Sequence, residues 1–315
     1  MQKHALRVYN DINSICCDFQ TVVSTGTFDG VHSGHRAIIK KMTEIAKDKN
    51  LKTVIVTFEP HPRIVLKKDQ QKLKLLTSIK EKLKLFEMLG IDDVVLIDFS
   101  EQFARTSYES FIKDYLVKRL KSKYITIGFD HRFGEQRSGT QEKLRELGKA
   151  YNFDVVEVAP VAINGLVVSS TKIRNLLQDG QTKLAAQLLG YPYMITGKVV
   201  KGSQTGQKIG FPTANLAVEE PYKLIPAVGV YGVMVTIGDA CYKGMCNIGY
   251  KPTFKKNSLS IEVHIFDFQE NLYNKELKLN FHFFIRHEKK FESPDLLAKQ
   301  LISDKELVLK KFYEK

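Results

Sequence analysis

Short apolar runs alternate with longer amphipathic stretches through the first half of the chain. Thr21–Ser24, Thr53–Phe58, Val94–Ile97, Tyr124–Ile127 and Val155–Val158 are rich in Val and Ile and read as buried strands. Between them, Gly34–Lys49, Ile79–Leu89, Tyr108–Leu120 and Gln141–Tyr151 carry apolar residues at helical spacing. Strands that alternate with helices pair in parallel, because each helical crossover covers a face of the sheet. In such open α/β sheets ligands bind beyond the carboxyl ends of the strands. The unusual residue clusters of this half fall just there.

The rhythm changes near Ile195. Met194–Val200, Gly229–Ile237, Tyr242–Ile248, Ser260–Phe266 and Leu277–Ile285 follow one another with only turns between them, and one helical stretch, Pro294–Tyr313, closes the chain. Successive short strands without intervening helices predict a small antiparallel barrel. The boundary is expected near Gly190, after the helical pair Thr171–Leu177 and Lys183–Leu189. This gives an α/β domain over 1–188 and an all-β domain over 189–315. No internal repeat or low-complexity segment interrupts the pattern.

At 315 residues, 43% hydrophobic and 26% charged, each half has enough apolar material to bury a core of its own. No apolar run approaches the roughly 18 residues of a membrane span. The stretch Met1–Asn13 is mixed and polar, so no secretory leader and a cytoplasmic address are expected. Cys16, Cys17, Cys241 and Cys246 form no CxxC pair, which argues against a zinc site or a disulfide framework. The formal charge of +13 points to anionic partners, either nucleic acid or phosphorylated small molecules. The lysines are scattered, as in Lys67–Lys84, and no RNA-binding motif accompanies them. A solvated basic surface is therefore expected, with neither nucleic acid nor membrane as a partner.

The first candidate strand runs into Gly26-Thr27-Phe28-Asp29-Gly30-Val31-His32-Ser33-Gly34-His35 and then into a helix. A strand, a glycine turn and a helix N-terminus present backbone N–H groups to an anion. Two histidines three apart add side-chain donors, with Gly34 expected to let both imidazoles reach one phosphate. That suits charge stabilisation at phosphorus during in-line displacement. A tight loop with two surface histidines is the plain alternative, and zinc lacks a nearby third ligand.

Three further clusters fit a phosphate site. Ser169-Ser170-Thr171-Lys172-Ile173-Arg174 opens a helix with hydroxyls and a guanidinium, which forks onto phosphate oxygens. Simple N-capping is its alternative. Phe58-Glu59-Pro60-His61-Pro62-Arg63 and Gly128-Phe129-Asp130-His131-Arg132-Phe133-Gly134 each follow a strand directly, and each is by itself equally compatible with a turn.

In the second half, Gly197-Lys198-Val199-Val200-Lys201-Gly202 leads through Gly206, Lys208 and Gly210 to Phe211-Pro212-Thr213-Ala214-Asn215. The glycines give a loop open to phosphate, or simply a hairpin connection. No Walker A string is present. Thr213 and Asn215 offer neutral oxygens that suit Mg²⁺, which takes few protein ligands. In Ser260–Phe266, alternation puts Glu262 and His264 on one face and Ile261, Val263 and Ile265 on the other. If the apolar face packs outward under the closing helix, Glu262 points into the barrel mouth. A solvent-facing carboxylate is the alternative.

GTFDGVHSGH, TFEPHP, GFDHRFG and SSTKIR, in this order, resemble the FMN adenylyltransferase domain of bacterial bifunctional riboflavin kinase/FAD synthetases. GKVVKGSQTGQKIGFPTANL, NIGYKPTF, IEVHIFDF and IRHEKKF resemble the kinase domain of the same family. The resemblance runs from about Gly26 to Phe291. It implies a Rossmann-like HxGH nucleotidyltransferase domain and a six-stranded Greek-key barrel with a C-terminal helix. It implies that riboflavin is phosphorylated by ATP and that FMN is then adenylylated to FAD with release of pyrophosphate.

By that resemblance Gly26, Thr27, Phe28, Asp29, Gly30, His32, His35, Ser170, Thr171 and Arg174 hold ATP for the adenylyl transfer. Pro60, His61, Pro62, Gly128, Asp130 and Phe133 line its flavin and adenine sites. In the kinase, Gly202, Gly206, Lys208, Gly210, Thr213 and Asn215 hold ATP, the last two with Mg²⁺. Glu262 is the general base toward the ribityl hydroxyl, and Arg286 approaches the flavin. Two departures from the family pattern stand out: Asn274 in place of a common glycine, and Tyr191 in place of a common basic residue at the junction. Intact Thr213, Asn215 and Glu262 argue against a nucleotidyltransferase for another substrate whose barrel serves only to bind, and a nucleic-acid-binding or flavin-sensing protein would leave the HxGH and PTAN clusters idle.

Overall fold

The computed structural model describes residues 5–15, 17–66, 73–129, 140–202, 205–251 and 258–314. The expectations for Asp130, Phe133 and the side chain of Lys208 lie outside the described residues. The chain divides into two compact units, Met1–Ser170 and Thr171–Lys315, and each has its own core.

The first unit is built on strands β1 (Arg7–Tyr9), β2 (Thr21–Thr25), β3 (Lys52–Glu59), β4 (Asp93–Asp98), β5 (Ser122–Gly128) and β6 (Asp154–Val158). They pair in parallel in the order β1-β4-β3-β2-β5-β6. Val54, Ile55 and Val56 of β3 are all fully buried. Three consecutive apolar residues need a sheet covered on both faces, and parallel crossovers supply the cover. After β2 the chain builds outward through β3 and β4, then returns to place β5 on the other side of β2. That reversal opens a crevice at the carboxyl ends of β2 and β5.

The helices of this unit are α1 (Ser33–Lys49), the turn α2 (Pro62–Val65), α3 (Ile79–Met88), the turns α4 (Glu101–Ala104) and α5 (Tyr108–Ser110), and α6 (Gln141–Tyr151). Helix α1 ends at Asn50 and α6 at Asn152, both left-handed, with φ of 52° and 59°. Asparagine tolerates that conformation better than most residues. Ser78 and Glu81 close a capping box at the start of α3. The helix expected over Tyr108–Leu120 is present, but its main part, Phe111–Arg119, is wound as a π-helix. The wider winding lets Phe111 and Leu116, five residues apart, both enter the core. Strand β1 escapes the hydrophobic pattern because it is short and exposed; Arg7 holds it to β4 by a two-pronged ion pair with Asp93, both contacts at 2.7 Å.

A small hairpin, β7 (Ala162–Ile163) and β8 (Leu166–Val167), precedes α7 (Ser170–Gln178) and α8 (Thr182–Leu189). The second unit continues with β9 (Tyr193–Val200), the turn α9 (Thr205–Lys208), β10 (Ala214–Ala217), β11 (Gly229–Ile237), β12 (Ala240–Lys251), β13 (Ser258–Ile265), β14 (Glu276–Arg286) and α10 (Pro294–Tyr313). Six of these strands close an antiparallel barrel in the order β10-β13-β12-β11-β14-β9. Strand β10 lacks a hydrophobic signal of its own, being four residues long behind a Gly/Pro-rich loop. Asn274 has φ of 63°, so it fills a position where glycine is otherwise at home.

The orientation of β13 corrects one expectation. Val263 pairs with Cys246 of β12, and both are fully buried with Tyr231, Val233 and Phe281 in the barrel interior. The apolar face of β13 therefore points inward. His264 pairs with Met245, which packs with Val308 of α10 against the outside of the barrel. Glu262, two residues from His264, shares that outer face and does not enter the barrel mouth. A closed barrel of this size has room inside only for side chains, so the apolar row fills it.

Candidate active sites

In the first unit the loop between β2 and α1 is pinned on every side. Gly26 N–H donates to Val56 O at 3.0 Å, and Gly30 N–H donates to the Thr77 hydroxyl at 3.1 Å. The Asp29 carboxylate accepts from the N–H groups of Leu76 and Thr77 at 2.8 and 3.2 Å. The Ser170 hydroxyl, at the end of this unit, donates to Asp29 O at 2.9 Å. Phe28 is 2% exposed, and its ring meets His35 at 5.1 Å and Phe86 of α3 at 5.6 Å. Phe28 and Val31 both adopt positive φ, 47° and 35°. Strain held by surrounding contacts is characteristic of ligand-binding loops.

His32 caps α1, its Nδ1 accepting from the His35 N–H at 3.4 Å. An accepting Nδ1 leaves the proton of a neutral imidazole on Nε2. The His32 and His35 rings stack at 3.7 Å with planes 14° apart. A β-carbon at Gly34 would meet the His32 ring at 3.3 Å, so the bare glycine lets that ring fold back over α1. Burial, reinforced by His32 and by the charge of Lys82, pushes the His35 imidazole well below the ordinary histidine range. Its Nδ1 is buried without a hydrogen-bond partner among the described residues. Such an atom is costly unless a ligand satisfies it.

His61 caps α2 by accepting from the Arg63 N–H at 3.2 Å, between Pro60 and Pro62. Gly128 ends β5. Thr171 and Arg174 lie in α7 of the second unit. One residue escaped the sequence reading altogether. Lys82 is only 5% exposed and lies on the inward face of α3 with Leu85 and Phe86. The signal was a lysine interrupting an apolar stripe at helical spacing.

The second unit gathers its candidates on the outer face of the barrel. The Thr213 hydroxyl donates to the Glu262 carboxylate at 3.3 Å, and Asn215 pairs in register with Glu262. Any side chain at Gly202 would collide with the Asn215 amide, so the glycine loop lies directly on this residue. Gly206 is held against Phe211, whose N–H donates to Gly206 O at 2.8 Å, and Gly210 has φ of 81°. His264 Nδ1 bonds Pro212 O at 2.8 Å, and burial pulls this imidazole down against that bond. Sequence reasoning missed Asn247, opposite Glu262 in β12, and Glu288, whose carboxylate leaves no room for a side chain at Gly249.

Among the described residues no group of three His, Cys, Asp or Glu could hold a metal by itself. Thr213, Asn215 and Glu262 nevertheless form an all-oxygen donor set, which fits a hard cation carried mainly by phosphate. Arg286 is held by the closing helix. Its Nε and Nη2 donate to Asp304 of α10 at 3.0 and 2.7 Å, and Gln300 donates to the same carboxylate at 2.9 Å. Arg286 thus ties the last strand to the closing helix.

Comparisons with known proteins agree with this two-site layout. A family model described as FAD synthetase matches residues 16–172, and one described as riboflavin kinase matches residues 189–312. The bifunctional riboflavin kinase/FMN adenylyltransferase of Listeria monocytogenes is 39% identical over 292 residues, covering 92% of this chain and 91% of that protein. The Escherichia coli K12 protein of the same name is 36% identical over 293 residues, covering 93% and 92%. A crystal structure from Streptococcus pneumoniae, described as a macrolide-efflux protein, superposes with a TM-score of 0.88 at 33% identity, covering 96% of this chain and 98% of that one. No helix among the described residues is long and apolar enough to cross a membrane.

Proposed function

Because this chain belongs to the bifunctional riboflavin kinase/FMN adenylyltransferase family, we propose that its two clusters divide one biosynthetic sequence between them. The enzyme phosphorylates riboflavin with ATP to give FMN, then adenylylates FMN to FAD. Residues 1–188 are assigned to the adenylyltransferase and 189–315 to the kinase, an assignment supported by the two matched ranges. A cytoplasmic location, where ATP is made available, completes the reading.

In the adenylyl transfer an oxygen of the FMN phosphate attacks the α-phosphorus of ATP. The bond from that phosphorus to the bridging oxygen breaks, and pyrophosphate leaves with the electron pair. The Nε2–H of His32 and the buried His35 ring supply hydrogen bonds to the phosphate oxygens. Both rings are fixed before substrate arrives by stacking and by the cap on α1. Ser170, Thr171 and Arg174 hold the triphosphate, with Gly26, Thr27, Phe28, Asp29 and Gly30 shaping its loop. Pro60, His61, Pro62, Gly128, Asp130 and Phe133 line the flavin and adenine sites.

In the kinase reaction the ribityl 5′-hydroxyl attacks the γ-phosphorus and Glu262 accepts the hydroxyl proton, while the bond from that phosphorus to the bridging oxygen breaks and ADP leaves with the electron pair. Thr213 and Asn215 would hold Mg²⁺, which when bound neutralises charge on the ATP phosphates. Gly202, Gly206, Lys208 and Gly210 cover the nucleotide. Arg286 orients α10 beside the flavin through Asp304. The observation that carries this assignment is the Thr213 hydroxyl on the Glu262 carboxylate, with Asn215 in register beside them.

Isotope tracing tests the sequence of steps. With riboflavin and γ-labelled ATP, label should enter FMN and remain in FAD. With α-labelled ATP it should appear in FAD alone. Label from the α-position in FMN would refute the assignment.

A further inference from the structure

Lys82 occupies a place where the apolar stripe of α3 should continue. It is 5% exposed and buried on the inner side of α3 with Leu85 and Phe86. Burying a lysine is unfavourable unless its charge is matched. The helix that carries it is docked onto the loop between β2 and α1 by Asp29, Thr77 and the edge-on contact of Phe28 with Phe86. Helical side chains lean over the preceding turn, so Lys82 leans from Phe86 toward Thr77 and this loop. Its charge is felt by His35, and Lys82 in turn feels the carboxylates of Asp29 and Glu59.

The chemistry of the site calls for positive charge beyond that of Arg174. Adenylyl transfer brings a phosphate anion onto a triphosphate, and the like charges repel. The loop histidines donate hydrogen bonds, but a buried neutral His35 contributes no positive charge. An ammonium fixed in a site of low dielectric does, and its effect there greatly exceeds that in water.

We propose that Lys82 is a further catalytic residue of adenylyl transfer, its ammonium binding a phosphate oxygen of the reacting pair. The inference rests on the adenylyltransferase reading of the first unit. Lys82 keeps its proton throughout. It offsets the negative charge as the new P–O bond forms and as pyrophosphate departs. The substrate phosphate in turn adds to the negative charge that Asp29 and Glu59 already place near the ammonium. The phosphate belongs either to FMN or to ATP, and binding measurements separate the two.

The test uses the full-length protein with Lys82→Met and Lys82→Arg. FAD formation from FMN and ATP should fall about 10²- to 10³-fold in Lys82→Met, as for loss of one preorganised electrostatic contact. Lys82→Arg should restore it to within about tenfold, while both variants phosphorylate riboflavin like the parent. Weakened FMN binding with unchanged ATP binding assigns the contact to FMN, and the converse assigns it to ATP.

A pH profile separates charge from packing. Burial pulls the Lys82 ammonium below the ordinary lysine range, opposed by Asp29 from the loop after β2 and Glu59 from the end of β3. His35 of α1, on which His32 stacks, and Glu81 of α3 are further titratable groups of this region. The parent should therefore lose FAD synthesis at alkaline pH as Lys82 deprotonates, and Lys82→Arg should abolish that limb. If Lys82→Met does not fold, this comparison decides the matter. FAD synthesis by Lys82→Met within threefold of the parent, or an unchanged alkaline limb in Lys82→Arg, would overturn the inference. A parent protein that makes no FAD from FMN would instead overturn the adenylyltransferase reading itself.

Discussion

The hydroxyl of Thr213 meets the carboxylate of Glu262 at 3.3 Å, joining residues 49 positions apart on two neighbouring barrel strands and their approach loop. In the kinase proposed above, one end of this contact is the oxygen that meets the metal-bound nucleotide and the other is the base. On that proposal the pair links nucleotide placement to proton removal within a single hydrogen bond.

Thr213→Val keeps the shape of the side chain and removes its oxygen. Riboflavin phosphorylation should fall roughly 10²-fold, in the range of one positioned polar group, and should require more Mg²⁺ to reach half its maximal rate. FAD formation from supplied FMN should be unchanged. Initial rates measured against Mg²⁺ concentration check both statements.

Gly34→Ala places a methyl group 3.3 Å from the His32 ring. The ring must give way by a few tenths of an ångström, and small displacements in a catalytic site are expensive in rate. Adenylyl transfer should slow about tenfold with little change in thermal stability. Steady-state rates on FMN and a melting curve provide the readout.

The depressed His35 pKa has a consequence for stability. An unfolded histidine titrates near 6.5, and the folded one lower. Between those two values the unfolded chain binds the extra proton, so stability rises with pH across that window. The contribution is complete above the unfolded value and is lost as pH falls below about 6.5, by at most about 1.4 kcal/mol per pH unit. Urea melts at about pH 7.5 and about pH 5.5 should show that loss in the parent protein, and His35→Gln should reduce it.

Arg286→Ala leaves the Asp304 carboxylate, 2% exposed, without its two-pronged partner. Removing one member of a buried pair costs about 3–5 kcal/mol. The barrel should unfold at lower denaturant and kinase activity should fall with it. Asp304→Asn, which removes the stranded charge, should recover part of the stability when combined with Arg286→Ala.

The sequence made the larger elements legible for plain physical reasons. Val/Ile runs of β2 to β6 and the helical spacing of α1, α3 and α6 each carry a period that only one kind of element satisfies. Strands β1 and β10 were not legible because they are too short to show a period and are fixed by Asp93 and by neighbouring strands instead. The alternation in β13 correctly separated Glu262 from Val263, but it could not say which face is inside. Closure of the barrel decides that, and it puts Val263 against Cys246. At the sites, glycine and histidine strings marked the loops, whereas Lys82, Asn247 and Glu288 reach them from elements distant in sequence.

The central claim is that two independent phosphorus sites act in series, and two single substitutions test it most directly. The parent, His32→Ala and Glu262→Ala are each given riboflavin, ATP and Mg²⁺, and the flavins are separated by chromatography. The parent should accumulate FAD, and His32→Ala should stop at FMN. Glu262→Ala should leave riboflavin unchanged yet still turn added FMN into FAD. Loss of both activities in either folded variant, or FMN made at the parental rate by Glu262→Ala, would contradict the account.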